Sequence, residues 1–317
     1  MLEPEARIPV VNIIHAAHEL NPGTRKACLA IGVFDGVHLG HQQVIRRTIA
    51  DSRQHEAISV AVTFDCHPNS VVAPERTPPL IYPLSKKLEV ISSLGVDTAL
   101  LLHFDKPMSQ VPAEEFIRGL AQRCKNLHSI CVGSTFTFGH KRQGNVEMLK
   151  ILGRELHFEV HGLSAVSLDG ERVSSTRIRE AVRAGNLDAA SQMLGRAYSL
   201  AGKIVEGDQI GRTLGFPTAN LESADLVLPP NGVYAAHAEV SGKTCRAAVN
   251  IGVRPTMESP TPRLHVEAHL LDFAGELYGK EIELTFVEKL RDEKKFPSLE
   301  ELKQQIRKDI EAAKKLF

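Results

Sequence analysis

Net charge is what this sequence most plainly lacks. Lysine and arginine number 38 and aspartate and glutamate 38, so no global field favours nucleic acid or an anionic membrane over other partners. Any anion site must therefore be local. A long apolar run near the start is also missing: Ile8 to Ile14 is short, is interrupted by Pro9 and Asn12, and follows Glu3, Glu5 and Arg7. That pattern fits neither a secretory signal nor a membrane span. The five cysteines, Cys28, Cys66, Cys124, Cys131 and Cys245, form an odd set without C-x-x-C spacing. They argue against a disulfide framework and a zinc site and point to a reducing cytoplasm. Cys28 and Cys131 lie in apolar runs and read as small core residues. Tryptophan is absent and aromatics make up 5%, yet 43% hydrophobic and 24% charged residues give no reason to expect disorder.

At 317 residues the chain is long enough for two domains, each with its own core. In the first half, apolar runs at Ala27 to Val33, Ala57 to Phe64, Thr98 to His103 and Ser129 to Val132 alternate with longer amphipathic segments. Gln42 to Ser52 and Ala113 to Cys124 each carry one apolar helical face. Strands separated by helices imply a parallel α/β sheet. Two short helices are expected at Thr176 to Ala184 and Leu187 to Leu194, stopped by Gly185 and Gly195. The domain boundary is placed there, giving domains 1–195 and 196–317.

Beyond it, short strands follow one another without helices: Leu200 to Glu206, Val233 to Val240, Thr244 to Ile251, Leu264 to Leu271 and Ile282 to Leu290. They suggest an antiparallel barrel or sandwich. A final helix begins at the capping box Ser298 and Glu301 and repeats Leu299, Leu302, Ile306, Ile310, Ala313 and Phe317 on one face.

Two motifs in the first half suit phosphate chemistry. Gly32-Val33-Phe34-Asp35-Gly36-Val37-His38-Leu39-Gly40-His41 joins a strand to a helix, at the carboxyl end where open α/β sheets bind ligands. Gly36 and Gly40 permit close backbone approach, and His38 and His41, three residues apart, can face one phosphate at a helix amino terminus. Ser174-Ser175-Thr176-Arg177-Ile178-Arg179 opens a second helix. There Ser175 and Thr176 can cap the helix or bind phosphate oxygens, and Arg172 or Arg179 can clamp the β and γ phosphates. Nucleotidyl transfer needs such positioning and charge, with magnesium.

Two patterns in the second half stay open. Gly211-Arg212-Thr213-Leu214-Gly215-Phe216-Pro217-Thr218-Ala219-Asn220 puts Thr218 and Asn220 on one side of an extended segment, with oxygens that suit magnesium and glycines that suit phosphates. A surface turn entering an edge strand has the same pattern. Along Leu264 to Leu271, Glu267 stands between His265 and His269 on the polar face, as a catalytic base or as an exposed strand face would.

With these residues in place, the chain resembles, nearly end to end, the bacterial bifunctional riboflavin kinase/FMN adenylyltransferase (FAD synthetase) family. Gly32 to His41 is similar to the adenylyltransferase signature, Ser174 to Arg179 to its S-S-T-x-I-R segment, and Gly215 to Asn220 to the kinase G-F-P-T-A-N. Further matches are Asn231 to Tyr234, Asn250 to Thr256, Val266 to Leu270 and Leu290 to Phe296. The resemblance implies a nucleotidyltransferase-like α/β parallel-sheet domain, then an antiparallel β-barrel domain with a C-terminal helix. It also implies riboflavin, FMN and ATP as substrates and magnesium as cofactor. Nothing in the pattern selects for or against an oligomer.

By the same resemblance, His38 and His41 stabilise the transferring adenylyl phosphate. The nucleotide sites comprise Gly32, Phe34, Asp35, Gly40, Arg172, Ser175, Thr176 and Arg179 in one half and Gly211 and Gly215 in the other. Thr218 and Asn220 hold magnesium-ATP at the kinase site, with Glu267 as base. Thr135, Phe136 and Arg291 contact flavin. Two positions depart from the common family pattern: Val33 stands where asparagine is frequent, and Thr135 where aspartate or asparagine is usual. The second is expected to alter FMN or nucleotide affinity.

Overall fold

The computed structural model describes residues 11–20, 25–207, 211, 214–254, 263–273 and 275–317. Glu3, Glu5, Arg7, Ile8 and Pro9 lie outside the described residues, as do Arg212, Thr213, Pro255 and Thr256 of the motifs. The chain divides into two compact units, Met1–Leu80 with Leu84–Ser175, and Ile81–Pro83 with Thr176–Phe317.

The first unit is a six-stranded sheet: β1 (Asn12–Ile14), β2 (Ala27–Ile31), β3 (Ile58–Phe64), β4 (Thr98–Leu102), β5 (Leu127–Gly133) and β6 (Glu159–Leu163). They lie side by side in the order β1-β4-β3-β2-β5-β6. Every pairing in this sheet is parallel; a separate antiparallel pair joins β7 (Ser167–Leu168) to β8 (Glu171–Arg172). Its helices are α1 (Leu39–Gln54), α2 (Asn69–Val72), α3 (Leu84–Ser93), α4 (Lys106–Gln110), α5 (Ala113–Cys124) and α6 (Val146–Leu156).

Alternation along each strand feeds two cores. Leu29 and Ile31 of β2 and Val60 and Val62 of β3 pack with Ile117, Leu120, Leu149 and Leu152 from α5 and α6. Ala30 and Ala61 point the other way, onto Val44, Ile45 and Ile49 of α1 and Val90 and Ile91 of α3. Both faces of the sheet are thus covered by helices, which is why its central strands read as unbroken apolar runs. Cys28 and Cys131 are fully buried, and burial pushes their thiols up to about 11 and about 12, as expected of inert core residues.

The second unit begins with α7 (Ser175–Arg183), whose first residue still belongs to the first unit, and α8 (Leu187–Leu194). The division falls ahead of residues 195 and 196, where the sequence placed it, and two contacts explain why α8 and the end of α7 go with the second unit. Ser191 Oγ of α8 accepts from the Tyr198 N–H at 2.9 Å, and a Cβ on Gly185 would lie 3.3 Å from the Pro230 ring. Gly185 (φ 78°) and Gly195 (φ 70°) end the helices in left-handed backbone, as expected.

Six antiparallel strands follow: β9 (Ser199–Val205), β10 (Ala219–Leu221), β11 (Gly232–Val240), β12 (Lys243–Arg254), β13 (Arg263–Leu270) and β14 (Glu281–Arg291). They close a barrel in the order β10-β13-β12-β11-β14-β9. Closure decides between the barrel and the sandwich. Small side chains make so narrow a barrel fillable: Ala236, Ala238, Ala247 and Ala268 are all buried. The last helix, α9 (Leu299–Lys314), is capped by Ser298 Oγ, which accepts from the Glu301 N–H at 3.2 Å. Its Ile310 and Ala313 cover Ala235, Ala248 and Leu271.

Candidate active sites

β2 lies at the switch point of the sheet, with β3 on one side and β5 on the other, so the loops after β2 and β5 border the crevice where such sheets take ligands. The loop after β2 is tightly wound, with Phe34 (φ 53°), Gly36 (φ 76°) and Val37 (φ 41°) in left-handed backbone. For the branched Val37 that conformation is strained. Phe34 is buried, and a Cβ on Gly32 would meet its ring at 2.6 Å, so glycine is required there.

α1 then starts at Leu39 with His38 as its cap. His38 Nδ1 accepts from the N–H groups of Gly40 at 3.2 Å and His41 at 3.4 Å. In the neutral ring this leaves the proton on Nε2. The His41 ring stacks on that of His38 with centroids 3.6 Å apart, and Phe34 meets His41 edge-on at 5.4 Å. His41 Nδ1 is buried without a hydrogen-bond partner among the described residues. Burial, then the neighbouring His38, Arg172 and Lys87, hold the His41 imidazole well below its ordinary range, so the ring is neutral.

Ser175 Oγ donates to the backbone carbonyl of the buried Asp35 at 3.0 Å, which joins the two motifs. This hydroxyl is therefore spent on the loop rather than on capping its own helix. Arg172 is exposed, and its Nη2 donates to Thr135 Oγ1 at 2.8 Å. The departure from the family pattern at Thr135 thus contacts the arginine expected to bind phosphate. Phe136 stacks on Phe138 at 5.3 Å and packs against the core. Thr176 is exposed and Arg179 buried on α7.

One residue of this site escaped the sequence reading. Lys87, buried on α3, donates from Nζ to the Phe64 carbonyl at 2.6 Å and to Thr63 Oγ1 at 3.4 Å, and Thr63 Oγ1 donates to the Val33 carbonyl. Burial lowers its amine to about 8, against the opposing pull of Asp35, Asp65 and Cys66. In the sequence, Lys86-Lys87 looks like a solvated pair, and no local signal marks the second as buried.

In the barrel, Val266 and Ala268 point inward and Glu267 outward, as the alternation predicts. Glu267 stands opposite Asn220 on β10 and Asn250 on β12. Glu267 and Asn250 line a cavity of about 480 Å³, together with Gly211, Thr218, Arg291 and Glu293. The carboxylate face is therefore a cavity wall. Asn220 and Gly215 do not line the cavity; Gly215 (φ 88°) makes the turn before Phe216.

Glycines keep this region open. A Cβ on Gly211 would lie 3.0 Å from Thr218 Oγ1 and 2.5 Å from the Phe216 carbonyl, and one on Gly207 would collide with the Asn220 amide at 2.2 Å. His269 Nδ1 lies 2.8 Å from the Pro217 carbonyl, steadying the strand entry. Arg291 ends β14 and is clamped by Asp309 of α9, with contacts of 2.9 and 2.7 Å from Nε and Nη2. Asn250 is a second residue that the sequence reading did not single out for the site, although it falls inside a matched motif.

A doubly covered parallel sheet with a histidine-bearing loop at its switch point, followed by a closed barrel with a carboxylate-walled cavity, has the build of a two-module transferase. The family models for FAD synthetase and riboflavin kinase match residues 21–177 and 194–317. Bifunctional riboflavin kinase/FMN adenylyltransferases from Haemophilus influenzae and Pseudomonas fluorescens are 35% and 36% identical, over 97% and 96% of this chain and 99% and 98% of their own. The enzyme so named from Escherichia coli (strain K12) is 35% identical over 97% of this chain and 98% of its own. A crystal structure of a protein described as a macrolide-efflux protein from Streptococcus pneumoniae superposes with a TM-score of 0.78 at 28% identity, covering 96% of this chain and 99% of that one. Among the described residues no helix is long and apolar enough to cross a membrane. The chain belongs to the bifunctional riboflavin kinase/FMN adenylyltransferase family.

Proposed function

We infer that this protein phosphorylates riboflavin to FMN in its barrel and adenylylates FMN to FAD in its α/β unit. The supporting observation is that each unit carries its own set of phosphate-handling groups. His38 and His41 stack at the switch point of the sheet, and Glu267 and Thr218 share a cavity wall on the barrel.

At the barrel, Glu267 takes the proton of the ribityl 5′-hydroxyl as that oxygen attacks the γ-phosphorus and ADP leaves. Magnesium fits the donors present, because the Thr218 hydroxyl and the Glu267 carboxylate offer hard oxygens at the cavity, Asn220 stands opposite Glu267 just outside its lining, and glycines whose missing Cβ atoms leave room lie beside them. When bound, it supplies charge neutralisation on the triphosphate. Arg291, held by Asp309, faces the flavin side of the cavity.

At the sheet, an oxygen of the FMN phosphate attacks the α-phosphorus of ATP and pyrophosphate leaves. Two donors converge there: His38 through Nε2–H and neutral His41, with Arg172 adding charge. Asp35, pinned by Ser175, fixes the loop that Gly32, Phe34 and Gly40 allow. The roles of Thr176 and Arg179 on the triphosphate, of Thr135 and Phe136 on the flavin, and of Gly211 and Gly215 at the kinase nucleotide rest on the resemblance. The functional boundary at 195/196 rests on the change from helices to consecutive strands there, and cytoplasmic residence on the five free cysteines.

Incubating the protein with riboflavin, ATP and magnesium and separating the products tests this reading. FMN and FAD should both accumulate. FAD made only from added FMN would leave the α/β activity alone, and neither product would mark a flavin-binding protein without turnover.

A further inference from the structure

At the far end of α1 from the catalytic loop lies a second cluster of histidines. Thirteen residues of helix separate Asp51 from His38, about 20 Å at 1.5 Å per residue. Asp51 is buried in the last turn of α1, His55 follows as its C-cap, and His128 is the second residue of β5. These positions lie at the amino ends of the strands, opposite the end where the sheet takes nucleotide.

One carboxylate oxygen of Asp51 and one ring nitrogen each of His55 and His128 lie within 4.8 Å of one another. His55 Nε2 is 3.8 Å from Asp51 Oδ1, and the two imidazole rings are 4.0 Å apart at their centroids. His128 Nε2 is buried and has no hydrogen-bond partner among the described residues. An aspartate and two imidazoles so placed match the donor set of a divalent transition-metal site with an open fourth position, where ligand atoms sit about 3.5 Å apart.

The surroundings support the same use. Ser129 Oγ donates to Asp51 Oδ2 and orients the carboxylate, leaving Oδ1 toward His55. His161 Nε2 approaches Oδ2 at 3.6 Å, and Cys131 completes an alternative trio with it, but Cys131 is wholly buried. The His55 side chain is 30% exposed and gives an ion a way in. We propose that Asp51, His55 and His128 bind a divalent transition metal of the zinc type, fastening the end of α1 to the start of β5 outside both active sites. The cysteines lack metal spacing, but here the ligands are an aspartate and two histidines brought together by the fold.

The test uses the full chain, stripped with chelator and titrated with zinc chloride in magnesium-free buffer against a metal-sensitive dye. The parent should show one saturable site that persists in a His38→Ala/His41→Ala variant and weakens about tenfold or more in His55→Asn and in His128→Asn. Cobalt(II) should give a ligand-field band in the parent that His55→Asn removes, and His55→Asn should keep both magnesium-dependent turnovers. The partly exposed His55 makes that variant foldable, which circular dichroism verifies. No saturable zinc, zinc held only through His38 and His41, or equal binding by the parent and the His55 and His128 variants would overturn the proposal.

Discussion

The imidazoles of His38 and His41 lie face to face, 3.6 Å apart and inclined by 19°, with His38 turned inward to cap the helix that carries His41. A second proton in this stack is unfavourable, and burial already holds His41 neutral. In the unfolded chain the same residue titrates near pH 6.5, so as pH falls through that value the unfolded state binds a proton that the folded state refuses. Stability should drop with acid in that window. Thermal melts between about pH 7 and pH 5 should show a steeper loss for the parent than for His41→Asn.

Lys87 puts a buried cation behind the Val33 to Asp35 segment, and its amine titrates near 8. If that charge supports the triphosphate site, kcat/KM for FAD formation should fall as pH rises through about 8. FMN formation should lack this limb. Lys87→Arg should abolish the limb, and Lys87→Met should show the lowered rate at every pH.

Thr135 accepts a hydrogen bond from Arg172 at 2.8 Å. An aspartate in its place would hold the guanidinium with a charge-assisted bond and change what Arg172 can offer a ligand. Titrating Thr135→Asp with FMN and ATP should give altered affinity, with stability within about 0.5 kcal/mol because both side chains are exposed. Affinities equal to those of the parent would contradict this.

The Arg291–Asp309 pair is largely buried, with side chains 16% and 9% exposed, and Gln305 also donates to Asp309 at 2.8 Å. Asp309→Ala would leave a buried guanidinium unpaired, at a cost of about 3 kcal/mol in chemical denaturation. KM for riboflavin should rise, since Arg291 lines the barrel cavity, while FAD formation from added FMN should hold.

The interior of the sheet was readable because β2 to β5 are covered on both faces and carry near-continuous apolar runs. The edges were not. β1 has three residues, and β6, Glu-Val-His-Gly-Leu, has no buried residue and two exposed ones, so neither makes a run that pattern reading detects. β10 has three residues too and reads as the tail of a turn, yet it closes the barrel. Among the site residues, His38, His41, Thr218 and Glu267 were legible because the chemistry wants those side chains beside glycines or at alternate strand positions. Lys87 and the Asp51 cluster were not, because the partners of Lys87 are 23 and 24 residues away and His128 lies 73 residues from His55 in sequence. Only the packed fold brings them together.

Separating the products made by two variants tests most directly whether the chain holds two independent phosphate-transfer sites. With riboflavin, ATP and magnesium, His38→Ala/His41→Ala should accumulate FMN without FAD, and Glu267→Gln should make FAD from added FMN but no FMN from riboflavin. Folded variants that each lose both reactions would contradict the account.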